Sequence, residues 1–184
     1  MIHFGKWVVK HKVLILVIAV LLLIPSAFGY FHTRVNYDIL NYLPDDIETM
    51  KGQEIMVDEF GTGAFSMCVV EGMSDKDISA MRKEMCKVEG VKDVLWYDSF
   101  MDLSVPIDLL PDSIKDVFVN KDADSTIMFV LYPNSISADE TMEAIESLRK
   151  VMNKRCFLSG MSAVVTDTKN LSNKETPIYV LIAV

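Results

Sequence analysis

The most strongly patterned part of the chain lies near its start, where residues 13–24 are twelve consecutive apolar residues and no charge occurs from residue 13 to residue 31. As a helix, the 19 residues 13–31 would rise about 28 Å, close to the roughly 30 Å hydrocarbon thickness of a bilayer. The run predicts a transmembrane helix at 13–31, with Trp7 before it and Tyr30 and Phe31 at its far end suited to the membrane interface. Pro25 sits late enough in the run to be tolerated by a membrane helix.

Beyond this run the pattern alternates between helical and extended periods. Ile47, Met50, Val57 and Phe60 recur at near-helical intervals and are stopped by Gly61 and Gly63, which predicts a helix over about 46–59 inside a linker at 32–63. Residues 64–71 read as a buried strand with Phe65, Val69 and Val70. Ile78, Met81, Met85 and Val88 then mark one face of a helix begun by Ser74 and closed by Gly90. Residues 91–97 form a second predicted strand. The stretch 99–124, with Pro106 and Pro111, is irregular apart from a short helix at 113–119. Residues 125–132 form a third strand, ended by Pro133 and Asn134. Ser137 and Glu140 have capping-box spacing ahead of Met142, Ile145, Leu148 and Met152, a further amphipathic helix. Residues 155–159 supply a fourth strand, stopped by Gly160.

The order strand, helix, strand, strand, helix, strand over 64–159 is that of an α+β, ferredoxin-like βαββαβ domain. Right-handed crossovers place both helices on one face of a four-stranded antiparallel sheet. Residues 160–176 predict a connecting helix. Residues 177–184 are apolar but rise only about 12 Å as a helix. They read as the start of a second, truncated transmembrane helix opened by Pro177, with a buried terminal strand as the other reading.

Charge refines this picture. Of 18 basic residues, Lys6, Lys10 and Lys12 precede the apolar run, while all 26 acidic residues follow it, leaving the remainder at a net −11. The positive-inside bias assigns residues 1–12 to the cytoplasm and the folded domain to the extracytoplasmic side. The same features also fit a cleaved signal peptide, with Ala27 and Gly29 positioned for a cut before Tyr30. So acidic a domain lacks the basic footprint of a nucleic-acid-binding surface. Cys68, Cys86 and Cys156 are widely spaced and odd in number, which predicts small buried hydrophobes in place of a zinc site or disulfide framework.

Several local motifs, taken in order, resemble the resistance-nodulation-division superfamily, and among its members the MMPL-type lipid and drug exporters. They are the basic start and first membrane helix, Val35-Asn36-Tyr37-Asp38, Tyr42-Leu43-Pro44-Asp45-Asp46, Asp58-Glu59-Phe60-Gly61 ahead of a strand, and Ser159-Gly160-Met161-Ser162-Ala163. The resemblance implies that the chain is the N-terminal segment of a proton-driven, multi-pass exporter of the cell membrane, with 64–159 as its first porter domain. Its implied partners are the lipid bilayer, the remaining membrane helices, a second porter domain and a hydrophobic small-molecule or lipid cargo. A homo-oligomer also fits. No cofactor, nucleic acid or enzymatic activity is implied. Residues 13–31 contain no Asp, Glu, Lys, Arg or His, so no proton relay is assigned to this segment. Two other classes remain open: the ligand-sensing domain of a membrane receptor, and an accessory domain of an ABC-type permease.

Candidate chemistry is sparse. Asn36, Asp38 and Tyr42, just outside the membrane helix, are candidates for a cargo access route or for docking the linker on the domain. Asn120, Asp122 and Asp124 have the spacing of the first calcium-loop ligands, but Ser125 stands where the turn glycine belongs and Leu131 where the closing glutamate belongs. A polar turn is expected there. Twelve methionines raise a soft-metal reading, yet Met81, Met85, Met142 and Met152 fall on apolar helix faces and predict core filling. Asn170-Leu171-Ser172 matches a glycosylation triplet by chance, and His3, His11 and His32 lack the convergent spacing of metal ligands. N-terminal sequencing of the membrane-extracted protein is expected to read from residue 1; a sequence starting at Tyr30 would refute the anchor.

Overall fold

The computed structural model describes residues 2–33, 35–37, 39–99, 111–120 and 123–183. The chain divides into two compact units, Met1–Asn36 and Tyr37–Val184. In the first unit α1 (Ile2–Lys10) is followed by α2 (Lys12–His32), which continues through Pro25. Among the described residues Lys12–Tyr30 is the one stretch of helix long and apolar enough to cross a membrane, and it buries none of its side chains in protein. It is compatible with membrane association. The flanking histidines turn back on the helix itself: His11 Nδ1 lies 2.9 Å from the Trp7 carbonyl and His32 Nδ1 2.9 Å from that of Phe28.

The second unit opens with a 3-10 turn, Ile39–Tyr42, and α3 (Glu48–Asp58), which has no buried residue. Its amphipathic pattern does not place it in the core. It is held at its end by polar contacts: Gln53 Nε2 donates to the Gly63 carbonyl at 2.7 Å, and Lys92 Nζ donates to the Phe60 carbonyl and, at 3.1 Å, to Thr62 Oγ1.

One antiparallel sheet organises the rest, a mixed helix-and-strand architecture. Its strands are β1 (Ala64–Glu71), β2 (Asp93–Leu95), β3 (Val119–Asn120), β4 (Ser125–Tyr132) and β5 (Cys156–Ser159). Their order is β2-β4-β1-β5, with β3 pairing the far end of β4. β1 and β4 pair over eight residues, from Ala64↔Tyr132 to Glu71↔Ser125. Alternation along the strands sends Ala64, Ser66, Cys68 and Val70 of β1, and Thr126, Met128, Val130 and Tyr132 of β4, to one buried face. Helices α4 (Asp75–Met85) and α6 (Asp139–Val151) contribute Ile78, Met81, Met85, Ala144, Ile145 and Leu148 to the same core cluster. Burying side chains of this size stabilises by roughly 1.5–3 kcal/mol each. Helix α5 (Asp112–Phe118) precedes β3, and α7 (Met161–Ala183) follows β5.

The structure departs from the predicted pattern at definable points. The second strand shortens to Asp93–Leu95 because Trp96 leaves the ladder: its indole Nε1 donates to Thr126 Oγ1 at 2.8 Å, and that hydroxyl donates onward to the Phe118 carbonyl at 2.6 Å. Two residues of β3 add a fifth strand that the turn-rich sequence before β4 concealed. Helix α6 takes Ala138 as its N-cap, one residue beyond the Ser137 that the capping-box spacing suggested. Asp139 and Glu140 in the first turn instead supply negative charge to the positive end of the helix dipole. Pro177 opens no new helix but lies within the continuous α7. The early turns of α7 bury Ser162, Ala163, Val165 and Thr166, whereas Ile178, Tyr179, Val180, Leu181 and Ile182 are 52–80% exposed.

The expected end of α4 at Gly90 also moves. The helix stops at Met85 with Cys86 as its C-cap, and the following turn ends at Gly90 with φ +83°. A Cβ built there would stand 2.9 Å from the Glu140 carbonyl oxygen and 3.0 Å from Ala144 Cβ. The turn therefore passes close under α6 in a conformation that side chains oppose. Gly90→Ala is expected to cost about 1–3 kcal/mol in urea unfolding of the detergent-solubilised chain. Gly52→Ala, in α3 with nothing within 4 Å of its added Cβ, is the control expected to cost nothing.

Candidate functional site

The three residues singled out beside the membrane helix are distributed as follows. Asn36 ends the first unit, Tyr42 closes the 3-10 turn of the second and is 76% exposed, and Asp38 lies outside the described residues. The calcium-like spacing resolves into a turn between β3 and β4. Asn120 Oδ1 accepts the Ala123 N–H at 3.2 Å, Asp124 takes a left-handed φ of 45°, and Asp122 lies outside the described residues. Asn120 and Asp124 line a cleft of about 250 Å³ with Val70, Met73, Asp75, Ile78, Val119, Ser125 and Thr126. Among the described residues no three His, Cys, Asp or Glu side chains converge as metal ligands do. Asn170, of the glycosylation triplet, lies in α7 with its Nδ2 donating to Glu146 Oε1 at 3.0 Å.

Polar groups around the turn after β2 act as ties between elements. Arg82 of α4 reaches across to Asp98, Nε to Oδ1 at 2.9 Å, while Nη1 donates to the Val94 carbonyl at 3.0 Å. Ser79 Oγ donates to the second Asp98 oxygen at 2.8 Å. These side chains are mostly shielded from solvent, so the pair joins α4 to the turn after β2 and presents no free carboxylate. Burial pushes the Tyr97 phenol above its ordinary range, reinforced by Asp75, and pushes Tyr132 up to about 12. Both stay neutral at physiological pH and neither is poised as a base.

The surface with the strongest physical character is the sheet face opposite α4 and α6. Strand register lines up Phe65 with Leu131, Met67 with Phe129, and Val69 with Ile127 and Phe157. Phe118 meets Phe129 edge-on at 5.9 Å, but Phe65 and Phe157 remain 50% and 54% exposed. Met67, Val69, Ile127, Phe129 and Leu131 are only half-buried among the described residues. The sequence reading missed this face. Its signal was present in residues 127–131, five consecutive apolar residues, because a strand apolar at every position is suited to burial on both faces. Partly exposed apolar side chains grouped on one face have the character of an interaction surface.

If that face is a binding surface and not part of the folding core, polar replacements on it should leave stability nearly intact. Phe65→Ser with Phe157→Ser is expected to change the unfolding free energy by about 1 kcal/mol or less and to lower the fluorescence of a dye that reports apolar surface. Undiminished dye binding would remove the assignment. Comparison with known proteins supplies no family: no family model matches the chain, and no curated protein matches it.

Proposed function

We propose that this chain is a segment of a proton-driven, MMPL-type exporter of the resistance-nodulation-division superfamily, comprising a membrane anchor and a porter domain. One observation carries the reading. A helix of membrane-spanning length that carries no charge over residues 13–31 and a sheet ordered β2-β4-β1-β5 with α4 and α6 in its core occur in one chain, and that strand order is the one a ferredoxin-like split βαβ unit requires. The added β3 is then a decoration that continues the β2 side of β4.

The half-exposed apolar sheet face supports the same reading. An exporter of hydrophobic or amphipathic cargo needs a domain that packs reversibly against another protein layer, and Phe65 and Phe157 offer an apolar surface for that purpose. In this reading the face meets the second porter domain, the domain lies on the extracytoplasmic side, and the exposed apolar end of α7 continues into lipid as a second membrane helix. The chain supplies no proton carrier in its span, so the relay belongs to other membrane helices. It acts by packing and not by catalysis. In sequence, Asn36, Asp38 and Tyr42 fall between the anchor and the porter domain.

The test is export of a hydrophobic dye from cells expressing the full coding sequence. Export is expected to collapse on addition of a protonophore, and Phe65→Glu with Phe157→Glu is expected to lower it about tenfold, the effect of about 1.4 kcal/mol on the transport step, at unchanged membrane abundance. Export that ignores the proton gradient, or an absence of export at normal abundance of the parent protein, overturns the reading.

A further inference from the structure

Helix α1 (Ile2–Lys10) stands apart from the apolar helix that follows it. His11 leaves the helical region between the two, with φ −104° and ψ 19°, while its ring lies 4.8 Å from that of Trp7. Residues 13–31 by themselves match the hydrocarbon thickness, so α1 falls outside it. Its side chains are nevertheless patterned for a boundary. Phe4, Trp7 and Val8 recur at i, i+3 and i+4 and form one stripe, while Lys6 and Lys10, four apart, form another. Phe4, Trp7 and both lysines are exposed, and Val8 is half-buried. The unit Met1–Asn36 contains no Asp or Glu, so neither lysine has a carboxylate partner within it. As like charges at i and i+4 they destabilise an isolated helix.

We propose that α1 lies flat in the membrane surface and binds anionic lipid headgroups, with Lys6 and Lys10 on the phosphates and Phe4, Trp7 and Val8 sunk toward the acyl chains. The inference rests on the membrane-anchor part of the proposed function and on nothing about transport. The lipid acts here as an anchor and not as cargo.

Dimensions exclude the upright alternative. A bilayer is about 40–45 Å thick with its headgroups and about 30 Å without them, which leaves about 5–8 Å of headgroup layer on each side. Were α1 to continue the line of the span, Trp7 would stand about 9 Å and Phe4 about 14 Å beyond Val13, with the apolar stripe left in water. Lying flat, the same stripe sits about 5–10 Å into the boundary between headgroups and acyl chains. Lysine stems run along apolar surface while the ammonium stays with the headgroups, and the indole of Trp7 suits the same boundary. Charge selects the lipid. A zwitterionic surface offers the two lysines no net attraction, whereas an anionic one shifts the docking equilibrium by about fivefold for each lysine. It also relieves the repulsion between them.

The experiment reconstitutes the full chain into nanodiscs of phosphatidylcholine alone, or of phosphatidylcholine mixed with phosphatidylglycerol. Hydrogen exchange of the α1 amides is followed together with quenching of tryptophan fluorescence by lipids brominated at shallow or deep acyl positions. Trp96 is buried inside the sheet domain, so a lipid-borne quencher reports Trp7. In the anionic discs the α1 amides are expected to exchange about 25-fold more slowly, the product of two lysines. Raising the salt from about 0.1 M to about 1 M, which shortens the Debye length from about 10 to about 3 Å, should erase most of that difference. Lys6→Gln with Lys10→Gln should abolish it and Lys6→Arg with Lys10→Arg retain it, both at the parent's unfolding midpoint and both resisting carbonate extraction. Shallow bromines should quench Trp7. Equal exchange in the two discs, or a Gln variant that keeps the difference, overturns the lipid site and leaves the anchor standing. Quenching of Trp7 by deep bromines alone overturns the flat position of α1. Release of the parent chain by carbonate overturns the anchor, and the lipid site with it.

Discussion

The eight-residue antiparallel pairing of β1 with β4 is the constraint on which the rest of the domain depends. Both strands are apolar on both faces over much of their length, so a slip of one residue, which turns every side chain to the opposite face, would meet little hydrophobic resistance. Polar and backbone contacts at the two ends hold the register. At one end the Gly63 N–H bonds the Tyr132 carbonyl at 3.0 Å, and at the other the Gly72 N–H bonds that of Asp124 at 2.9 Å. Arg155 donates to the Gly72 carbonyl at 2.6 Å, and Thr126 is committed to Trp96 and Phe118. A slipped strand would strand those donors and acceptors, at about 1–3 kcal/mol for each buried group left unsatisfied.

From this register the two surfaces of interest follow. The face carrying Cys68, Val70, Met128 and Val130 is closed by α4 and α6. The face carrying Phe65, Val69, Ile127 and Phe129 stays half-open. The closed face forms the core, and the open face offers apolar area to another protein layer. The proposed exporter role rests on the open face and on the lipid-compatible helix.

Much of this arrangement was legible in local pattern. The charge-free residues 13–31 announced a long apolar helix, and the spacing of Ile78, Met81 and Met85, like that of Met142, Ile145 and Leu148, announced buried helix faces. The strands at 64–71 and 125–132 have the bounds the alternation suggested, because strong β-formers there are bounded by glycine, proline and asparagine. Ser74 caps α4 as read, accepting the Asp77 N–H. The candidate residues fared differently. Asn120 and Asp124 were correctly read as a polar turn, while Tyr42 is exposed in a short turn whose surroundings the local sequence does not encode.

What the sequence determined by itself was the placement of segments with strong periodicity, since a helix face or a strand's alternation is a property of neighbouring residues. What only tertiary structure decided was everything requiring residues far apart to meet. Trp96 ends β2 because Thr126 lies thirty residues ahead to receive its indole, and Gly90 is needed because α6 crosses above it. Met81 sits beside Cys156 because β5 pairs with β1 under α4. Periodicity reports which face a side chain occupies, but not which atoms the folded chain brings against that face.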